Sequence, residues 1–259
     1  MDIQSFSKET SVVIDEKNGI LIIKLNKPES RNSLDHSMAA DVANAVDYLD
    51  KESRLKVAIL TGTSEGFSSG MDLKAFLRGE TPIIEGRGLA GITETPPEKP
   101  IIAAVDGFAL AGGCELALAC DLIVASTNSV FGLPEVKRGL IAGGGGALNL
   151  PKKIPKTLAL EMILTGEPIT ASRAYEIGLV NQVTSGPAVD AAYELAVKIA
   201  RNAPEAVKVS KQIVIQSQNW DTNEQFEAQQ KLIAPIFNSA DAREGAKAFA
   251  EKREPIWSV

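Results

Sequence analysis

Glu115 is the residue of this chain that most needs a chemical reason. It lies in a twenty-residue stretch, residues 101–120 (IIAAVDGFALAGGCELALAC), whose only other formal charge is Asp106. A carboxylate in apolar surroundings is costly unless it is paired or protonated, and such a group is suited to acid/base chemistry. A second carboxylate, Glu135, follows twenty residues later in Phe131-Gly132-Leu133-Pro134-Glu135. Two carboxylates facing each other in a dry pocket can deliver a water and a proton to opposite ends of one bond. Each also has a plain structural reading. Glu115 could be a carboxylate held by free amides at a helix start, and Glu135 a first-turn residue after a proline.

Two glycine-containing segments supply groups of the opposite character. Gly66-Phe67-Ser68-Ser69-Gly70-Met71-Asp72-Leu73 follows the apolar run 56–61 (KVAILT), and Gly107-Phe108-Ala109-Leu110-Ala111-Gly112-Gly113-Cys114-Glu115-Leu116 leads into a helix expected to begin around Gly112. Glycine lets backbone amides approach a ligand, and the free amides of a helix start carry partial positive charge suited to an oxyanion. If Ser69 and Gly112 face each other, their two N–H groups converge on one carbonyl oxygen, with both carboxylates beside the activated acyl group.

Other chemistries lack parts. His36 is the only histidine and heads a helical stretch without a nucleophile motif, so neither a Ser-His-Asp mechanism nor Ser69 as nucleophile has its base. Cys114 and Cys120 have no histidine nearby and read as reduced, packed thiols, with no metal expected. Glycines 143–146 lack the Lys-Ser/Thr of a phosphate loop and read as a tight helix start beside the pocket. No G-x-G-x-x-G accompanies residues 107–112, which disfavours a dinucleotide oxidoreductase. Lys152, Lys153 and Lys156 read as a solvated basic patch.

The elements that must position these groups follow from pattern. β-rich runs at 12–15 and 20–25 flank Asn18-Gly19, a strong hairpin signal. Residues 35–50 carry Met38, Val42, Ala45, Val46 and Leu49 at helical spacing. Runs 56–61, 101–105, 122–125 and 179–183 read as further strands alternating with helices, which gives an α/β core. Residues 79–99 have no clean period and read as a loop region or a loosely ordered helix lining the site. Beyond Pro187 the pattern is helical, broken at Pro204, Pro235 and Pro255. The expected division is a core over residues 1 to about 195 and a helical segment from 196 to 259.

Length and composition set the bounds. With 259 residues, 44% of them hydrophobic and 23% charged, the chain can bury a large core. The net charge of −6 disfavours nucleic acid or an anionic membrane as a partner. The start, MDIQSFSKET, has no basic segment followed by an apolar one, so a cytoplasmic location is expected. The apolar stretch 101–120 would place Asp106 and Glu115 in hydrocarbon if it spanned a membrane, so a buried core is expected instead.

The two glycine segments and the two glutamates together resemble the crotonase superfamily, the enoyl-CoA hydratase/isomerase family, over nearly the whole length. The matching motifs are Phe-x-x-Gly-x-Asp-Leu at 67–73, Ala-Gly-Gly-x-Glu-Leu-Ala-Leu-x-x-Asp at 111–121, and Phe-Gly-x-Pro-Glu ending at Glu135. The resemblance implies a crotonase-like spiral of strand-strand-helix units with a helical C-terminal segment. It implies an oxyanion hole from the amides of Ser69 and Gly112, with Ser68, Gly70, Asp72 and Leu73 as the surrounding substrate-binding segment. It makes Glu115 and Glu135 the catalytic pair for reversible syn addition of water to a 2-enoyl-CoA, with Gly143 offering its amide to the water. It places Arg31 near coenzyme A, and Phe249 and Lys252 against the coenzyme A of a neighbouring subunit in a homotrimer or dimer of trimers. No cofactor is implied beyond the thioester substrate itself. Ala111 stands where many hydratases have a third glycine, Ser69 where many have alanine, and residues 140–150 replace the usual Ile-Pro-Gly-x-Gly-Gly-Thr-x-Arg-Leu. That replacement and the ending at 248–257 also resemble the crotonobetainyl-CoA (carnitinyl-CoA) hydratase branch, although an aromatic content of 5% argues against a trimethylammonium pocket. The alternative from another class is a non-catalytic acyl-CoA-binding protein, in which two such carboxylates would have no chemical use.

Overall fold

The computed structural model describes residues 11–258. The first elements among the described residues are strands β1 (Val12–Lys17) and β2 (Ile20–Leu25), paired antiparallel through a turn in which Asn18 and Gly19 both have positive φ, as a two-residue hairpin of matching twist requires. Helix α1 (His36–Lys51) follows, its first turn held by the Asp35 carboxylate, which accepts from the Met38 amide at 2.9 Å. Then come β3 (Val57–Thr61), the short α2 (Leu73–Leu77), β4 (Ile83–Ile84), β5 (Gly88–Leu89), β6 (Ile101–Val105), β7 (Phe108–Leu110) and α3 (Gly112–Ala119). The second half holds β8 (Leu122–Ser126), β9 (Val130–Gly132), α4 (Gly146–Lys153), α5 (Lys156–Thr165), β10 (Ile169–Thr170), α6 (Ala171–Glu176), β11 (Gln182–Thr184) and α7 (Ala188–Ala200). Helices α8 (Pro204–Gln216), α9 (Gln225–Phe237) and α10 (Ala240–Glu251) close the chain.

The main sheet runs β1-β2-β3-β6-β8-β11, parallel from β2 onward, and a smaller sheet runs β10-β9-β7. Strands β3 and β6 are buried at every residue because both faces of the sheet are covered. Ala58, Leu60, Ile101, Ala103 and Val105 face the larger core with α1, while Val57, Ile59, Ile102 and Ala104 face α7. Along α7 the buried residues are Ala188, Ala191, Ala192 and Ala196, small side chains that let the helix lie close on the sheet. The spiral of strand-strand-helix units expected for an α/β crotonase-like chain is the architecture observed.

Several expectations need correction. The strand expected over 179–183 is β11, which begins only at Gln182. Leu179 and Val180 are buried in the turn after α6, where their amides donate to the Ala174 carbonyl. Of the two readings of residues 79–99 the loop region holds and the helix does not; β4 and β5 form a minimal hairpin there, with Gly79, Gly86, Gly88, Gly91 and Ala90 at positive φ. The helical pattern does break at Pro204, which starts α8, but α9 runs through Pro235 before ending two residues later. A division at residue 195 would cut α7, which packs on the sheet as one helix. The change of character falls instead near Pro204, since α8 and α9 bury no residue and α10 buries only Ala248.

Candidate functional site

The two glycine segments lie side by side because Ser68 bridges in parallel to Ala109, with the Leu110 amide donating to the Ser68 carbonyl at 3.0 Å and the Ser68 amide to the Phe108 carbonyl at 3.2 Å. Behind them Asn32, fully buried and at positive φ, staples the preceding loop. Its Nδ2 donates to the carbonyls of Gly66 (2.9 Å) and Phe67 (3.1 Å), and its Oδ1 accepts from the Lys27 amide at 2.8 Å.

This arrangement decides which amides are free. The Ser69 amide donates to the Arg31 carbonyl at 3.1 Å, so the expectation that Ser69 offers a free N–H is corrected. Met71 bridges in parallel to Leu34. The Leu34 amide donates to the Gly70 carbonyl (2.8 Å) and the Asp72 amide to the Leu34 carbonyl (2.9 Å), which leaves the Met71 N–H facing the other way. It faces Gly112: a Cβ built on Gly112 would lie 3.4 Å from the Met71 nitrogen, and one on Gly70 only 2.7 Å from the Gly112 nitrogen. Gly70, at φ +90, is therefore glycine because of this close approach. Among the described residues the amides of Met71 and Gly112 have no partner, and Gly112 is the first residue of α3, where N–H groups point away from the helix unsatisfied. Ala111, which precedes it, is held at φ 50 and ψ −128 by its amide's 2.9 Å bond to the Gly132 carbonyl. Two free amides at one spot form a receptor for an oxyanion.

Glu115 is one turn into α3 and only 5% exposed. Its Oε1 accepts from the Gly146 amide at 2.8 Å, so it caps the start of α4, a different helix from its own. The run of glycines from 144 to 146 wraps this carboxylate: a Cβ at Gly144 would stand 2.7 Å from Oε2, and one at Gly146 3.0 Å from Oε1. Burial, reinforced by the charge of Glu135 and opposed by the Gly146 and Gly144 amides, pushes the Glu115 carboxyl up to about 7. Glu135 sits in the 3-10 turn Pro134–Arg138. Both its carboxylate oxygens are buried without a hydrogen-bond partner among the described residues, and that burial raises its carboxyl above the ordinary range. A buried carboxylate without a protein partner is a candidate for acid/base chemistry.

Glu115, Glu135, Met71 and Gly112 line one cavity of about 790 Å³, within the size range of small-molecule sites. Arg31, Ser69, Asp72, Leu73 and Gly143 line it as well. Asp72 caps α2 through the Ala75 and Lys74 amides, which hold its carboxyl below the usual range, the Ala75 bond contributing most. The roles expected of Ser68, Gly70 and the Gly143 amide do not hold. Ser68 and Gly70 do not line the cavity: the buried Ser68 hydroxyl donates to the Asn32 carbonyl at 2.7 Å and accepts from the Gly70 amide at 3.1 Å, bracing the loop from behind. Gly143 lines the cavity, but its amide donates to the Ile141 carbonyl at 2.8 Å and is not free for a water. Phe249 and Lys252 lie outside the cavity, on exposed surface at the end of α10. Lys74 and Arg138 are lining cations that the sequence patterns did not single out.

The sequence profile of the enoyl-CoA hydratase/isomerase family matches residues 15–259. The chain belongs to that family. A solved enoyl-CoA hydratase from Mycobacterium tuberculosis superposes with a TM-score of 0.95 at 52% identity, covering 96% of this chain and 99% of that one. A carnitinyl-CoA dehydratase from Salmonella enteritidis is 40% identical over 251 residues, 93% of this chain and 96% of that protein. A 2,3-dehydroadipyl-CoA hydratase from Escherichia coli is 34% identical over 256 residues, 95% and 98% of the two chains. The fold is the crotonase fold, and this member of the family is an enzyme of the hydro-lyase class.

Proposed function

We propose that this hydratase-family enzyme adds water reversibly and syn across the C2=C3 bond of a 2-enoyl-CoA thioester. The observation that carries the reading is the meeting of two pKa-raised carboxylates and two unpartnered amides in one cavity. The thioester oxygen sits between the amides of Met71 and Gly112, which stabilise the negative charge that grows on it as C3 is attacked. Glu115, ionised and held by the Gly146 amide, takes a proton from the water whose oxygen bonds to C3. Glu135, protonated, gives a proton to C2 as the enolate collapses. The C2=C3 π bond breaks, one C–O and one C–H bond form, and no electrons pass to or from the protein. Burial raises both carboxyls, and in the hydration direction Glu115 works in its ionised form and Glu135 in its protonated form, as a base and an acid.

Coenzyme A is a polyanion, and Arg31 and Lys74 at the Met71 side of the cavity suit its phosphates. The exposed Phe226, Phe237 and Phe249 lie on α9 and α10, helices that bury almost nothing within their own chain, which supports a homotrimer or dimer of trimers in which Phe249 and Lys252 meet a neighbour's ligand. Among the described residues no helix is long and apolar enough to cross a membrane, and no group of His, Cys, Asp and Glu could hold a metal ion. The cytoplasmic setting, without nucleic acid or membrane partner, belongs to the same reading.

The test is a panel of 2-enoyl-CoA thioesters differing in chain length and head group. Hydration of at least one, at a rate typical of enzymes, supports the reading. Tight acyl-CoA binding with no hydration of any would favour a non-catalytic acyl-CoA-binding protein.

A further inference from the structure

Arg138 is an exposed cation that lines the cavity and has no counter-ion among the described residues. It ends the 3-10 turn that carries Glu135, three residues earlier. In a 3-10 helix side chains three apart eclipse one another, so Arg138 projects from the same face as Glu135, about 6 Å further along the turn axis. Among the described residues it has no ion pair or hydrogen bond, whereas its neighbour Lys137 is paired with Glu167 at 2.5 Å. Glu135 is not its partner, since both carboxylate oxygens of Glu135 are unbonded. The other residues of that end of the cavity are Pro134, Leu140, Ile141, Gly143 and Gly144, none of which carries a charged side chain.

The direction of the substrate fixes what Arg138 meets. The thioester carbon has two neighbours, the sulfur leading to coenzyme A and C2 leading to the acyl chain. C2 and C3 must face Glu115 and Glu135, so the acyl chain continues along the 134–144 wall and coenzyme A leaves toward Arg31 and Lys74. Resting on the hydratase reading above, we infer that Arg138 is a specificity-determining residue that selects 2-enoyl-CoA substrates whose acyl chain ends in a carboxylate and rejects those ending in a quaternary ammonium. A guanidinium presents a planar fork matched to a carboxylate and repels a fixed cation.

The test compares matched 2-enoyl-CoA substrates of several chain lengths, each with a terminal carboxylate, its neutral methyl ester, or a trimethylammonium group, on the parent enzyme, Arg138→Gln and Arg138→Lys. At the best-fitting length the parent prefers the acid over the ester in kcat/KM by about 10- to 100-fold, the range of a charge-assisted bidentate bond. It turns over the ammonium substrate more slowly than the ester. In Arg138→Gln the acid-to-ester ratio collapses toward parity, and in Arg138→Lys part of it returns. No acid preference in the parent at any length, a preference that survives Arg138→Gln, or an equal loss on acid and ester that would mark Arg138 as a coenzyme A contact, each overturns the inference. If the parent hydrates nothing, the hydratase reading fails by itself. Calorimetric affinities for the saturated acid and ester thioesters then read the same Arg138-dependent preference, or its absence, without turnover.

Discussion

The two walls of the cavity are built in opposite ways. The wall that carries Gly112 and Glu115 belongs to α3, seven of whose eight residues are buried, and the polar groups around its oxyanion amide are held by partners: Ala111 by Gly132, Glu115 by Gly146. The wall that carries Glu135 is a short 3-10 turn with no fully buried residue, a carboxylate lacking partners, and an exposed Ile141 beside it. The contrast separates two duties. In the proposed mechanism the rigid wall fixes the oxyanion and the water-activating carboxylate, which any 2-enoyl thioester needs, and the open wall holds the proton donor and meets the variable part of the acyl group.

A pair of glycine variants should break this contrast most visibly. Gly144→Ala places a Cβ 2.7 Å from Glu115 Oε2 and 2.8 Å from Leu89 Cδ2, so the carboxylate must move. Displacements of that size cost about 10²-fold in rate, and kcat for hydration should fall by roughly that much. Gly143→Ala meets nothing closer than 3.8 Å and should change kcat by no more than about two-fold, since open surface sites are near-neutral. Equal losses in the two would mean that the glycine run does not define the Glu115 position.

Stability against pH sharpens the comparison next. The Glu115 carboxyl is raised from 4.5 to about 7 in the folded chain. A carboxyl raised on folding favours the native state fully below pH 4.5, and that contribution is lost as pH rises through 7. Glu115→Gln keeps an acceptor for the Gly146 amide but has no charge to desolvate. Relative to the parent, it should therefore gain up to about 3 kcal/mol of unfolding free energy between pH 5 and pH 9, because each tenfold change in proton affinity is worth about 1.4 kcal/mol. Chemical denaturation of both proteins at the two pH values checks this; a constant difference would place Glu115 in a water-like environment.

Two smaller effects come from the backbone. Ala111 occupies a region of φ and ψ that L-residues avoid, and Ala111→Gly should relieve strain and stabilise the protein by about 1 kcal/mol after glycine's greater unfolded-state entropy is subtracted. Differential scanning calorimetry of the two proteins checks the sign. Ser69→Ala should alter hydration least of all, because the Ser69 amide is engaged with Arg31 and its hydroxyl is not invoked.

What was legible in the sequence was what is local. Asn18-Gly19 gives the hairpin, the spacing of Met38, Val42, Val46 and Leu49 gives α1, and a lone Glu115 in an apolar run marks a buried carboxylate. The choice between Ser69 and Met71 was not legible, because it depends on the bridge of Met71 to Leu34, thirty-seven residues away, and a one-residue slip reverses the direction in which an extended backbone points its N–H. Arg138 was hidden for a related reason: only the 3-10 geometry, not the sequence interval, puts it on the face of Glu135. Leu179 and Val180 misled because burial in a turn and burial in a strand leave the same apolar signature.

The central claim is that Glu115 and Glu135 add water to the two ends of one double bond from the same side. Hydration of a 2-enoyl-CoA in D₂O tests it most directly, with the product's C2 stereochemistry read by NMR. The parent should give a 3-hydroxyacyl-CoA with a single deuterium at C2, syn to the new hydroxyl. Glu135→Gln and Glu115→Gln should each form it about 10²- to 10⁴-fold more slowly, with little change in acyl-CoA affinity. Deuterium anti to the hydroxyl, or Gln variants as fast as the parent, would contradict the account.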